Sequence, residues 1–477
     1  MNRLFHLPTR WLSGSTQWIL FLCSIFLTFT SLLASCSDDD SFTASPTATL
    51  TFSADSVIMD TVFATVPSRT YDFWVYNHSR ASVRLKSVRL KNGNQTGFRV
   101  NVDGSYLDNS TGSIVNDLEV RKGDSIRVFV ELTAPGTLNS ASTTQYDDDL
   151  LFLLESGVEQ RVCLRGYSVD ALQWRDAVIS SDSIIESSIP IIIYGGMRVD
   201  SGAVLTVRNT TLYFHDKAGI DVFGTLKTEN ALMRGDRLDR MFDYLPYDRV
   251  SGQWHGIDIH ESSYNNELTD TEIRSAEQGI VCTGDSLQTD TIAKLTMLRS
   301  VIHNCKGPGL FVTDSNVKLS YCQFTNTLGD CVAVYGGTAI IEQCTLAQFY
   351  PFSADRGAAL RFAPSQLMVK GSIITGYDAD VIMGENLNTQ QASAEGQQEA
   401  DGQQPKAFFY KFENSLLRTP VVEDSISFVN VRWETPEDSV QGKQHFRLID
   451  EENLKYDFHL DSLSTAHGLG CYVDIEE

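Results

Sequence analysis

The chain has 477 residues, of which 42% are hydrophobic, 10% aromatic and 21% charged, with a formal net charge of −23. Collagen, a coiled coil and wholesale disorder are excluded, because each demands a different apolar content or order. The 61 acidic against 38 basic residues argue against nucleic acid as a partner and disfavour polyanionic ligands, since both need clustered Lys and Arg.

Residues 1–35 read as a signal peptide. Arg3 and Arg10 precede an apolar run from Ile19 to Ala34, and a basic stretch before a short apolar one marks a secretory signal. The run is shorter than the ~20 residues that cross a bilayer. Leu33-Ala34-Ser35-Cys36 follows at once and resembles the lipobox of bacterial lipoproteins. That resemblance implies that Cys36 becomes the acylated first residue, held to a membrane by about 0.8 kcal/mol per buried methylene. Ser37-Asp38-Asp39-Asp40 resembles the export signal of certain Gram-negative surface lipoproteins, which implies an outer-membrane, cell-surface location. Residues 36–47 as a whole read as an acidic, Ser/Thr-rich tether.

Residues 48–168 predict a β-sandwich. Tyr71–Tyr76, Val83–Leu90 and Ile126–Leu132 alternate apolar and polar with period two between turn signals. The segments Asp60–Val66, Val75-Tyr76-Asn77-His78-Ser79 and Val100–Gly104 resemble immunoglobulin-like domains that precede β-helices in some surface lipoproteins. Residues 169–190 read as a linker.

Residues 191–385 repeat. Gly256-Ile257-Asp258-Ile259 returns at Gly279–Cys282, Gly309–Val312, Cys331–Val334 and Ala359–Phe362. A second strand returns at Thr271–Ile273, Ser300–Ile302, Cys322–Phe324, Cys344–Leu346 and Ser372–Ile374. Ile302 to Phe324 is 22 residues and Phe324 to Leu346 another 22. A period near 22 built of short strands is one coil of a parallel β-helix. With Met197–Val207, Ala218–Lys227 and Gly252–Ile257, the segment resembles right-handed parallel β-helix proteins of the pectate-lyase-like superfamily. The fold class is therefore all-β: an immunoglobulin-like sandwich followed by a right-handed parallel β-helix.

Residues 386–406 are rich in Gln, Ala, Glu and Gly and predict a disordered insertion. Residues 407–477 regain strand character, and Tyr456–Leu460 followed by Ser464-Thr465-Ala466 resembles the closing coil of such proteins, so a cap is expected there. Of the cysteines, Cys163, Cys282, Cys305, Cys322, Cys331, Cys344 and Cys471 follow the signal and lipidation site. An odd number without CxxC spacing makes neither a complete disulfide set nor a zinc site. Cys322 and Cys344 share a column with Thr271, Ser300 and Ser372 and read as buried free thiols. Asn304 and Asn326 share a turn column that could carry an amide ladder.

Alternation along the first repeated strand sends Asp258, Val281, Phe311, Ala333 and Arg361 outward, then His260, Thr283, Thr313, Tyr335 and Ala363. This face shows no carboxylate pair on adjacent coils, which counts against a hydrolase or lyase there. Two readings of Phe311 and Tyr335 stand: a surface covered by the tail or the sandwich, or an aromatic platform for a sugar ring. Asp258 and His260 point to one side and are weak candidates for a metal or catalytic role, but two ligands do not make a site. The loop from Asp236 to Asp248 reads as a salt-bridged excursion. No metal and no cofactor are expected, and no catalytic residue is assigned. The functional expectation is a lipid-anchored surface protein whose β-helix binds, adheres or assembles, with a glycan or another surface protein as partner and the membrane reached through Cys36. The alternative is a polysaccharide lyase or glycoside hydrolase.

Overall fold

A computed structural model describes residues 41–136, 142–284, 292–363, 365–384 and 409–473. Cys36, the Ser37-Asp38-Asp39-Asp40 segment that follows it, and the 386–406 insertion lie outside the described residues. The described chain is all-β: two five-stranded sheets, then one continuous sheet of parallel strands.

The five-stranded sheets face each other over one core. Period-two alternation turns Phe73, Val75, Val128 and Val130 of one sheet toward Leu150, Phe152, Val162 and Leu164 of the other, all buried. Ser56–Phe63 is an edge strand that pairs parallel with Glu159–Val169, while the other pairings are antiparallel. Buried Asn77 staples a turn: its Nδ2 donates to the carbonyls of Ala81, Val120 and Arg121 at 3.0, 2.9 and 3.1 Å.

The β-helix coils stack in register along three sheets. In the first, Ile220, Ile257, Ile280, Leu310, Val332 and Leu360 lie one above another. The second carries Leu268, Met297, Leu319, Ile341, Val369 and Phe412. The third carries Leu212, Met233, Ile273, Ile302, Phe324, Leu346, Ile374 and Leu417. These side chains fill one buried core. Coils leave the second sheet through single left-handed residues such as Asn209, Asn230, Asp270, Arg299, Tyr321 and Gln343, with φ between 45 and 53°; Asn and Asp accept that conformation best.

The small-residue column has a physical task. The backbone N–H of Thr271 donates to Ser300 Oγ (3.2 Å), that of Cys322 to Cys344 Sγ (3.4 Å), and that of Cys344 to Ser372 Oγ (3.0 Å). Side chains of one coil thus satisfy buried donors of the coil before it. Both cysteines are buried and free. The Asn304–Asn326 ladder does not form, because Asn304 Nδ2 donates to the Asp248 carbonyl at 3.0 Å.

Two further expectations are corrected. No linker separates the two units: Leu172–Ile179 and Ser183–Ile185 are strands, and the former pairs along its length with Ile191–Val199. The sandwich instead docks directly, packing Phe63, Val66 and Ala171 on the outward Ile192 with Tyr194, Tyr213 and Leu238. The 236–248 loop locks this contact. Buried Asp239 takes Arg237 in two hydrogen bonds (2.8 and 2.6 Å) and the Arg69 backbone N–H (2.9 Å), while Arg240 N–H reaches Asp60 of the sandwich.

The tail also differs from a simple end cap. Phe409–Glu413, Leu416–Leu417, Phe428–Val429 and Arg432–Trp433 continue the coils. The chain then turns back as a hairpin, Phe446–Asp450 with Lys455–Leu460, along the outside of the third sheet. Phe446, Phe458, Ala466 and Leu469 bury Ala347, Ile373 and Leu416, which alternation points outward. A buried polar lock holds it. Glu434 is ion-paired with Arg418, lies 3.3 Å from His445 Nε2, and accepts from Thr375 Oγ1 (2.9 Å) and Gly442 N–H (2.6 Å), while His445 Nδ1 meets Ser464 Oγ at 3.0 Å.

Phe324 lies in the middle of the third inward ladder and is fully buried. Phe324→Ala is expected to cost roughly 3–5 kcal/mol in denaturant unfolding. Lys318→Ala, on the exposed side of the second sheet, should change stability by no more than ~0.5 kcal/mol. Equal effects would contradict the inward–outward assignment.

Candidate functional site

The aromatic pair does not form a platform. Phe311 and Tyr335 are half-buried, with ring centroids 5.5 Å apart and planes tilted by 45°, so they share no flat face. A hollow bounded by Glu277, Gln278, Lys306, Pro308 and Phe311 adjoins the pair on the Phe311 side. The described tail and the sandwich both lie on the third sheet, not over this pair.

Asp258 and His260 are not joined in one ligand set. Asp258 Oδ2 meets His255 Nε2 at 2.9 Å, and His260 Nε2 meets Asp221 Oδ1 at 2.9 Å while its ring stacks on Phe223 at 4.0 Å. Among the described residues no group of three or more His, Cys, Asp or Glu is placed to hold a metal. The expectation of no carboxylate pair on adjacent coils is also corrected, because Asp221 and Asp258 are register partners. Each carboxylate is engaged by its own histidine.

The convergent polar site lies elsewhere, on the outer face of the third sheet between the docked sandwich and the returning hairpin. Alternation around the inward Ile273, Ile302 and Phe324 turns Glu272, Arg274, Val301, His303, Gln323 and Thr325 outward on three successive coils. The hairpin and the chain after it bring Arg447, Tyr456, Asp457, His459 and Tyr472 against them, and Arg249 closes one side. The groove between them has a volume of about 390 Å³. A second hollow of about 450 Å³, lined by Asn209, Asn230, Asp270 and others, shares Glu272 and extends the cleft.

Charges are arranged pairwise. Glu272 Oε1 accepts from Arg274 Nη1 and His303 Nε2, both at 3.1 Å. Burial alone would raise the Glu272 carboxyl; the His303 hydrogen bond and the neighbouring cations, Arg274 among them, outweigh it and hold the group at about 2. His303 is buried, and that burial pulls its imidazole down toward the neutral form, with Nε2–H donating to Glu272. Asp457 binds His459 Nδ1 at 2.6 Å and the His459 backbone N–H at 3.0 Å, which together hold it below the usual carboxylate range against burial. His459 stacks on Tyr472 at 3.9 Å, and the Tyr472 hydroxyl donates to Gln323 Oε1 at 2.8 Å. Burial pushes the Tyr456 phenol up to about 12. Arg274 Nε, Asn326 Oδ1 and the Tyr456 hydroxyl are buried without a hydrogen-bond partner.

The sequence contained a signal for half of this. The alternation used on the first repeated strand, applied to the second, yields Glu272, Arg274, His303 and Gln323 as an outward polar column. Nothing local marks Arg447, Tyr456, Asp457, His459 or Tyr472 as their partners, because the hairpin's return sets that contact.

The family model described as "Right handed beta helix region" matches residues 162–346. The coils are thus a right-handed parallel β-helix. No curated protein matches the chain. Solved structures with some likeness include the VesB protease of Vibrio cholerae, at 16% identity and TM-score 0.17, covering 25% of this chain and 31% of that one. A PapD-like domain of human CEP192 is 15% identical with TM-score 0.18, covering 27% of this chain and 90% of that one. A family 123 glycoside hydrolase from Clostridium perfringens is 8% identical with TM-score 0.19, covering 29% and 30%. At such scores these likenesses carry no argument.

Glu272 supplies a pH test. Its folded value of about 2 lies below the ordinary 4.5, so over that interval the unfolded chain binds more protons. The stability it contributes is complete above about 4.5 and is lost as pH falls toward about 2. Glu272→Gln should therefore flatten the acid limb of a stability-versus-pH curve in that window. An unchanged limb would show that the carboxylate is not held by Arg274 and His303.

Proposed function

We propose that this protein is a lipid-anchored cell-surface protein that binds glycans in the groove between the sandwich and the C-terminal hairpin. The lipid sits on Cys36, the acids Asp38 to Asp40 direct it across the outer membrane, and the sandwich, immunoglobulin-like in its sequence segments, holds the β-helix away from the bilayer. The observation that carries the binding reading is the groove itself: it is open, elongated by the adjoining hollow, and lined with hydrogen-bonding side chains around the stacked Tyr472 and His459. Such a mixture of polar groups and aromatic faces suits a polyhydroxylated ring.

Hydrolysis by this groove is the less favoured reading. A glycoside hydrolase needs one carboxyl that remains protonated to serve as the acid. Both carboxylates here, Glu272 and Asp457, are held ionised by their partners.

Two measurements test the proposal. The full chain in detergent, applied to a glycan array, should bind, and Tyr472→Ala should lower the affinity by roughly 5- to 10-fold, on the order of 1 kcal/mol. Failure to bind any glycan would overturn it. In cells, Cys36→Ser should abolish acyl labelling and membrane retention, whereas replacing Asp38, Asp39 and Asp40 by Ala should keep the acyl label and remove accessibility to external protease. Retention of the Cys36→Ser protein in the membrane would contradict the anchor.

A further inference from the structure

The chain enters the sandwich at one end, and the β-helix docks at the other. Ser82 N–H donates to the Ser41 carbonyl (3.1 Å) and Thr43 N–H to the Ser82 carbonyl (2.9 Å), which pins the first described residues beside the start of the Val83–Leu90 strand. Pairing of Tyr76 with Ser125 and of Val83 with Val120 puts the 77–82 and 121–124 loops at that same end. Leu90 pairs with Leu150, Asp149 with Cys163 and Cys163 with Ser56, so the Ser56–Phe63 strand begins about where Val83–Leu90 ends and runs on, away from the loops. Phe63, which packs on the β-helix, is thus roughly 40 Å from Val83 along the strands. From Cys36 to Ser41 is five residues, at most about 18 Å of extended chain. An acyl chain on Cys36 would hold the two loops beside the bilayer and the groove far from it.

The charge on these loops is opposite to that of the whole chain. Arg80, Arg121 and Lys122 are exposed. Their loops are clasped together: Asn77 Nδ2 donates to the carbonyls of both Ala81 and Arg121, Gly123 N–H to the Asn77 carbonyl (2.9 Å), and Lys122 N–H to Ser82 Oγ (3.3 Å). The same two loops hold one acid, Asp124, whose Oδ1 accepts from Ser125 N–H at 2.7 Å. Glu119 and Glu155 nearby flank a fourth cation, Arg84, at 3.0 and 3.9 Å. A chain of net charge −23 therefore places three cations against one acid at the root of its tether. The field of an anionic bilayer decays within a Debye length, about 8–10 Å. Only charges this close to the surface feel it, so the acids spread over the β-helix do not oppose contact at this end.

We propose that this end of the sandwich is a membrane-contact surface, on which Arg80, Arg121 and Lys122 take the phosphate groups of anionic lipid headgroups. Guanidinium presents a planar fork that matches phosphate oxygens, and the Lys122 ammonium adds a point charge. The contact orients the protein: the sandwich stands on the bilayer by its loops, and the β-helix with its groove faces outward. This inference rests on the acyl anchor at Cys36 proposed above and is independent of what the groove binds.

The test uses the acylated full chain in vesicles of phosphatidylcholine alone and of phosphatidylcholine with phosphatidylglycerol in a two-to-one ratio, at physiological salt. An uncharged amine-acylating reagent is added outside, and the labelling rate of each lysine is read by mass spectrometry. Lys122 should label on the order of 10-fold more slowly in the anionic vesicles, while Lys318, exposed on the β-helix, labels at the same rate in both. Arg80 and Arg121 are exposed, so Arg80→Gln/Arg121→Gln should leave the thermal melt unchanged and return Lys122 to within about 2-fold of its rate in neutral vesicles. Equal Lys122 rates in the two vesicles would overturn the inference, as would a double variant as well protected as the unaltered chain. So would protection of Lys122 already present in detergent and lost when Asp38, Asp39 and Asp40 are replaced by Ala, because the tether and not the lipid would then occupy the patch. Each of these leaves the anchor standing on a chain that carries the acyl label; absence of an acyl chain from Cys36 would overturn both.

Discussion

Everything in this protein depends on the in-register stacking of coils. A single coil cannot bury its inward side chains, so Ile302 is covered only because Ile273 lies on one side of it and Phe324 on the other. The same stacking makes each coil's hydrogen-bonding needs the next coil's responsibility. That is why hydroxyls and thiols fill the column from Thr271 through Cys344 to Ser372, and why backbone donors end on side chains one coil away. A larger apolar residue in that column would fill the space and leave a buried N–H unsatisfied.

Stacking fixes the inside and leaves the outside free, and on the third sheet that freedom has been used in three ways. Ile192 at one end is apolar because the sandwich covers it. Ala347, Ile373 and Leu416 at the other end are apolar because the hairpin covers them. Glu272, Arg274, His303 and Gln323 between them are polar and remain open to a cleft. The site is therefore a gap between two docked bodies on a rigid floor. Its walls are held by buried ion pairs, Asp239 with Arg237 at the sandwich side and Glu434 with Arg418 at the hairpin side. Losing either lock leaves a buried charge without its partner, so the walls stay in place together with those pairs.

The places where sequence reading failed have physical causes. Residues 169–190 read as a linker because the first strand of a β-helix has no coil beneath it, so the Leu172–Ile179 strand is largely half-buried or exposed and lacks a clean inward column. Asp221 was not matched with Asp258 because the 236–248 loop, which locks the sandwich, breaks the period between their coils. Asp258 and His260 look like neighbours in the chain, yet each finds a nearer partner, His255 and Asp221, the latter one coil away. The tail was expected to close the end of the solenoid; its apolar residues found the outward face of the third sheet instead.

What the amino-acid order determined by itself is the architecture: two sheets of alternating strands, then a repeat near 22 residues whose inward column is apolar at every coil. Periodicity is local, and local patterns survive without knowledge of the rest of the chain. Which outward residues would meet was decided only by tertiary structure. Tyr472 reaches Gln323, and Tyr456, Asp457 and His459 come to line one groove with Glu272 and His303, across more than a hundred residues of chain. That contact depends on where a hairpin finds apolar surface to bury, and no spacing in the sequence encodes it.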